Sequence, residues 1–225
     1  MQQLHSDVWV TSSPLRFLGV EVGARMTVVR MPDDRLLLHS PISASEELVR
    51  EVQALGTVEY LVAPNKLHHL YVGEWQRVCP DAETYVAPGL ETKRADLSIT
   101  GVLTNEPEAG WKGELDQVLV GGFQFANEVA FFHRASATLI ATDLAFNFGA
   151  NSPPLTRAFI RLAGSYGEVG PSLLERLLVR DRPAFRKSLE RILEWPFERV
   201  VVAHGDVSES GGRAELIRGY SWVLS

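Results

Sequence analysis

The segment LVAPNKLHHLYVGEW, residues 61–75, decides how this chain is read. Leu61, Val62 and Ala63 form an apolar run of strand length, Pro64 and Asn65 break it, and His69, Leu70 and Trp75 begin the apolar spacing of a helix. Two adjacent imidazoles, His68 and His69, fall at the junction. A strand that empties into a helix places that junction at the carboxyl edge of a sheet, where open α/β sheets collect their ligands.

Upstream, Val8 to Val10, Met26 to Arg30 and Leu36 to His39 read as strands, with Pro32-Asp33-Asp34 turning between the last two. Ser43 to Leu55 reads as a helix: Ser43 and Glu46 are spaced as a capping box, Leu48, Val52 and Leu55 share a face, and Gly56 ends it. Strand, helix, strand in that order predicts parallel pairing. Downstream, Thr84 to Val86, Asp116 to Val120, Glu128 to Phe132 and Thr138 to Thr142 are strands, the last running into Asp143. A final strand, Arg199 to Ala203, runs into His204-Gly205-Asp206. His133, in the predicted hairpin turn, reads as structural or surface. Between the last two strands lies a helical, locally basic insert at about 153–196, whose arginines pair on paper with Glu175, Glu190 and Glu194. A closing helix is expected over 213–222.

Three of these strand ends, with their flanking residues, resemble the metallo-β-lactamase superfamily. PNKLHH (64–69), laid on that superfamily's His-x-His-x-Asp-His, keeps only His69: Pro64 and Lys66 replace the first two histidines and His68 replaces the Asp. TLIATDLAFN (138–147) is similar to the segment whose Asp ligates metal, and His204-Gly205 to the last ligand. Gln124, in GGFQFANE, stands at a further ligand position, and His39 where an Asp lies beneath the metal site. The resemblance implies an α/β fold, the metallo-β-lactamase-like αββα sandwich, as one domain over 1–225.

It also implies which chemistry survives. The three-histidine site reads Pro64, Lys66 and Gln124, and these cannot hold metal: Pro offers no donor, Lys is protonated near neutrality and Gln is a poor ligand. The other site reads His68, His69, Asp143 and His204, donors suited to one divalent metal ion, zinc first, with iron or manganese also accommodated. His68 is expected as fourth ligand or as general acid/base, Lys66 as electrophile or substrate anchor, and His39 as support beneath the site. The implied function is a mononuclear metal-dependent hydrolase of unknown substrate using metal-bound water. The alternative is a non-catalytic binding protein that has lost the metal centre. Lactam hydrolysis is not expected without the three-histidine site.

Composition bounds the partners. A net charge of −6 argues against a general nucleic-acid binder. The expected partner is a small molecule, anionic if Lys66, Lys93 or Arg94 meets it. Cys79 is the lone cysteine, so no internal disulfide forms, which suits a reducing compartment. No apolar run approaches the roughly 18 residues of a membrane span, and no basic start with a long apolar block opens the chain. A cytoplasmic protein with no membrane partner is the expectation, and oligomeric state is left open.

Overall fold

A computed structural model describes residues 1–225. In chain order the strands and helices are β1 (Gln2–His5), β2 (Val8–Ser13), β3 (Arg16–Phe17), β4 (Val20–Glu21), β5 (Ala24–Met31), β6 (Arg35–His39), α1 (Glu46–Gln53), β7 (Thr57–Ala63), α2 (Val72–Val78), β8 (Glu83–Val86), α3 (Leu90–Lys93) and β9 (Gly101–Val102). The second half holds β10 (Leu115–Leu119), β11 (Val129–His133), β12 (Thr138–Ile140), α4 (Pro154–Leu162), α5 (Leu173–Leu178), α6 (Arg182–Leu193), β13 (Arg199–Val201), α7 (Gly212–Gly219) and α8 (Ser221–Leu224). One sheet has the order β1-β2-β5-β6-β7-β8-β9, the other β10-β11-β12-β13, and β3-β4 is a separate hairpin. As expected, β6 pairs parallel with β7; β12 also pairs parallel with β13, which the sequence reading does not address.

Alternation along the strands makes this a four-layer sandwich. Successive strand residues face opposite sides. In β6, Leu37 joins Tyr60, Val62, Phe131 and Ile140 in the core between the sheets. Its neighbours Leu36 and Leu38 face the other way, against Leu48 and Val52 of α1 and Trp75 of α2. In β11, Phe131 points inward while Ala130 and Phe132 pack outward with Phe185, Leu189 and Ile192 of α6 and Tyr220 behind it. Helices therefore cover both outer faces, the αββα arrangement. No helix is long and apolar enough to cross a membrane.

Local differences from the sequence reading have local causes. Helix α1 starts after Ser45, whose hydroxyl accepts from Leu48 N at 3.2 Å. Ser43 is not the cap: its hydroxyl and Ala44 N donate to the Glu74 carboxylate at 3.0 and 2.9 Å, while the Ile42 carbonyl accepts from Trp75 Nε1 at 2.8 Å. Residues 42–44 are thereby tied to α2 and stay extended. His133 ends β11 rather than sitting in a turn; it is buried, with Nδ1 2.7 Å from Ser136 Oγ. In the helical insert Arg186 meets Glu190 at 2.9 Å, but Glu175 turns back to cap its own helix through Ser172.

What matters for a site is where the parallel strands end. β6 ends at His39, β7 leads to Pro64 and His68, β12 leads to Asp143 and β13 to His204. All four open onto one edge of the sandwich.

Candidate metal centre

The turn after β7 is built by one side chain. Asn65 is fully buried, and its Oδ1 accepts from Leu67 N at 2.8 Å and His68 N at 2.7 Å. This turn delays the helix to Val72 and aims His68 back over the sheet edge. The amide of the same Asn65 donates to Glu128 Oε2 at 2.7 Å, Thr142 Oγ1 at 2.9 Å and Asp143 Oδ2 at 2.6 Å. Glu128, also fully buried, takes Thr142 N and Thr142 Oγ1, both at 2.6 Å, and Asp143 N at 3.2 Å. Burial, and next the Asp143 carboxylate, push Glu128 upward, while the donors from Thr142 and Asn65 hold it back. Asn65 and Glu128 thus fix the loop that presents Asp143.

Three donors converge there. His68 Nε2 lies 3.4 Å from Asp143 Oδ2, and His204 Nε2 lies 3.6 Å from Asp143 Oδ1. One donor atom from each of the three residues lies within 4.8 Å of the others. Burial pushes the Asp143 carboxyl up, but His68 and His204 outweigh it and hold the group far below the usual carboxylate range. His68 loses to burial and gains more from Asp143, so it is raised. The ring of His68 is set by Ser40 Oγ, 2.8 Å from Nδ1. His204 Nδ1 lies 2.6 Å from the Gly23 carbonyl, which can only accept, so Nδ1 carries a proton. In the neutral ring, Nε2 then presents a lone pair to a carboxylate oxygen.

That arrangement fits a cation. Separations of 3.4 and 3.6 Å exceed ordinary hydrogen bonds. They are close to the edge of a tetrahedron with metal–ligand bonds of about 2.0–2.1 Å, an edge of about 3.4 Å. Two imidazoles and a carboxylate are a donor set that zinc, iron and manganese all accept.

One of the expected ligands stands elsewhere, and His68, expected as the fourth, takes its place. His69 is outside this cluster: Arg94 Nη1 donates to its Nδ1 at 2.8 Å and to its carbonyl at 3.1 Å, and Arg94 is itself held by two 2.7 Å bonds to Asp96. A guanidinium only donates, so Nδ1 accepts and the proton sits on Nε2. Burial first, then Lys93 and Arg94, push His69 down to about 4, and it is neutral at physiological pH. His68, which replaces the parent Asp, does reach the cluster.

Lys66 does not enter the site. Its amine donates to the backbone carbonyl of the exposed Gln124, and the side chain beside Asp143 is that of Asn65. Lys93 donates to the Lys66 carbonyl at 2.7 Å. Pro64 contributes only its carbonyl, 2.8 Å from Val129 N. Asn65, Glu128 and Ser40 are not singled out as site residues by the sequence, and Arg94 is read there only as a candidate contact for an anionic substrate. Of the first three only Glu128 leaves a trace there, as an acid opening a strand that is otherwise apolar.

His39 lies buried at the end of β6, its ring edge-on to Phe131 at 5.4 Å and its Nε2 without a protein partner. Burial first, and the charge of His68 second, push it down to about 3. It is neutral in the fold and protonates near 6.5 in the unfolded chain. The unfolded state therefore binds the extra proton as pH falls from about 6.5 toward 3, and stability declines over that window. Replacing it, His39→Leu, should flatten the decline by up to about 1.4 kcal/mol per pH unit. Urea denaturation of both chains across this range checks it; an unchanged slope would refute a neutral buried His39.

The cluster faces a cavity of about 410 Å³. His68, His69, Asp143 and His204 line one part of it, and most of the remaining wall is apolar.

Residues 5–165 match the model of the family described as Domain of unknown function (DUF4336). No curated protein matches the chain in sequence. Among solved structures, a metallo-β-lactamase from Pontibacter korlensis is similar over 95% of this chain and 94% of its own, at 14% identity and a TM-score of 0.66. The DIM-1 metallo-β-lactamase is similar over 99% and 94%, at 12% identity and a TM-score of 0.66. The Flv1 flavodiiron core from Synechocystis sp. PCC6803 is similar over 97% of this chain and 59% of its own, at 14% identity and a TM-score of 0.65. At such identities the likeness establishes the fold. The sequence match to 161 of 225 residues (165 − 5 + 1) establishes the family: the chain belongs to the DUF4336 family, and it is built on the metallo-β-lactamase fold.

Proposed function

We propose that this chain is a mononuclear metal-dependent hydrolase, with one divalent ion held by His68, Asp143 and His204. The observation that supports it is the convergence of these three donors at the wall of a cavity. An ion bound there supplies Lewis acidity, polarising an oxygen and easing loss of a proton from water. Three protein donors leave a position open, the pattern of catalytic rather than structural zinc sites.

The chain's own residues do the rest. Ser40 and Gly23 fix the two imidazole rings, and Glu128 with Asn65 fixes the carboxylate. His69, neutral with its proton on Nε2 and sited in the cavity wall, is placed to donate to a developing negative oxygen on the substrate. Arg94 acts as a positioning residue by locking that tautomer. In the hydrolysis, a water oxygen bonds to the electrophilic centre, the bond to the leaving group breaks, and the leaving group departs with a proton.

Metal content by elemental mass spectrometry on tag-free protein tests this reading. About one equivalent of zinc, iron or manganese is expected in the parent chain, none in His204→Ala, and a retained equivalent in His69→Ala. A parent chain that stays metal-free after incubation with all three ions would overturn it and leave a binding protein.

A further inference from the structure

The cavity wall is unlike the solvated rim of a site for charged metabolites. Fifteen of its 24 lining residues are hydrophobic. Six of them, Phe17, Leu67, Leu70, Phe125, Phe159 and Leu174, are also large apolar side chains left exposed in the folded chain. Exposed apolar surface gathered in one place marks a binding site, whereas single scattered residues do not. The volume falls within the roughly 300–1,000 Å³ of small-molecule sites.

The charged groups of the lining narrow the ligand further. Asp143 faces its two imidazoles, and the Glu175 carboxylate is taken up by Ser172, whose N–H donates at 3.0 Å. Arg16 is the one cationic residue in the wall that is neither His nor committed to the cluster, and it sits on the exposed β3-β4 hairpin. Lys93 and Arg94, candidates for an anionic substrate, are spent on the Lys66 carbonyl and on His69 and Asp96. An anionic group would find Arg16, on the exposed hairpin, as its one Lys or Arg partner in the wall, and deeper in the apolar interior it would meet a large desolvation cost. A hydrocarbon body would enter that interior favourably.

We infer that the cavity takes a neutral acyl compound, an ester, thioester or amide, whose hydrocarbon body fills the apolar wall while its carbonyl lies at the His68, Asp143 and His204 end. This deepens the hydrolase reading and rests on it for the fate of the carbonyl. Cleavage consumes one water: its oxygen bonds to the carbonyl carbon, the bond from that carbon to the oxygen, sulfur or nitrogen of the leaving group breaks, and the leaving group takes a proton. The β3-β4 hairpin forms one wall, pinned to α4 by Thr156 Oγ1 donating to the Glu21 carbonyl at 2.7 Å. Ala163, at the end of α4, is a small side chain in the lining beside the strongly exposed Leu162, which is not in it.

The experiment is displacement of the neutral fluorophore N-phenyl-1-naphthylamine from the full chain by n-alkanamides of increasing length, with and without prior chelator treatment. Displacement should be saturable, and affinity should rise roughly fourfold per added methylene until the cavity is full, the ratio given by about 0.8 kcal/mol per buried methylene. Ala163→Phe should weaken displacement at least tenfold, and Leu162→Asn should leave it within twofold. Affinity independent of chain length, or equal losses in the two variants, would overturn the inference. Should Ala163→Phe fail to fold, the length series on the parent chain decides alone. A flat series with one equivalent of metal sinks this inference only; a steep series in a chain that never takes metal sinks the hydrolase reading only.

Discussion

Replacing Asn65 by Asp is expected to cost about 3–5 kcal/mol of stability and to lower the melting temperature by on the order of 10 °C. The substitution is nearly isosteric, so the effect is electrostatic. The native amide donates to Glu128, Thr142 and Asp143 at 2.6–2.9 Å, all buried. The variant places a third carboxyl against two others and removes the donors that served them. Asn65→Ala also loses those donors and the turn bonds to Leu67 N and His68 N, but adds no charge, so it should cost less, about 1–3 kcal/mol. The difference between the variants has a sign. A carboxyl forced among like charges has a raised folded-state pKa, so its penalty is present above that pKa and fades as pH falls through it. Thermal unfolding of both variants at neutral and mildly acidic pH reads this directly. Equal stability at neutral pH would show that the Asn65 amide does not face the carboxylates.

Gly205→Ala is expected to cost about 2–4 kcal/mol and to weaken metal binding at least tenfold. Gly205 follows His204 with φ +94°, and a Cβ there would stand 2.1 Å from the Asn147 carbonyl oxygen. That carbonyl already accepts from Asp206 N at 2.7 Å, and Asn147 N donates to the His204 carbonyl. The strand end cannot retreat on its other side, because Arg25 donates to Val202 O at 2.6 Å and Gly205 O at 2.7 Å. Relief must come from moving His204. Gly211, at φ +68°, has no atom within 4 Å of its added Cβ and is the control: Gly211→Ala should pay only backbone strain, about 1–2 kcal/mol, and keep its metal affinity. Zinc titration against a chromophoric chelator, with melting curves for both, checks the pair. Matching metal affinities would refute the packing argument.

Strand ends were the legible part of this site. Leu36 to His39, Thr138 to Asp143 and Arg199 to His204 are apolar runs that stop on a polar residue, and the parallel pairings β6-β7 and β12-β13 carry those ends to one edge. Side-chain direction within the turn was not legible. His68 and His69 are adjacent, and which one faces Asp143 is settled by Ser40 and by Arg94, 28 and 25 residues away. Asn65 reads as an ordinary turn former and is one. Its second task depends on Glu128, 63 residues on, and no local pattern couples them. Lys66 stands outside the three-donor cluster for the same reason: the turn set by Asn65 sends its amine outward to Gln124.

The bond from His204 to the Gly23 carbonyl spans 181 residues. Contacts that close so long a loop are formed late in folding, since chain entropy must be lost before they are gained. The three donors come from the turn after β7, the loop after β12 and the loop after β13, so the set is incomplete until the last strand has docked on β12. Under the proposed metal-binding reading, ion capture is thereby a kinetic signal of completed topology: a refolding chain would gain most of its strand and helix spectrum first and its ion-binding capacity last.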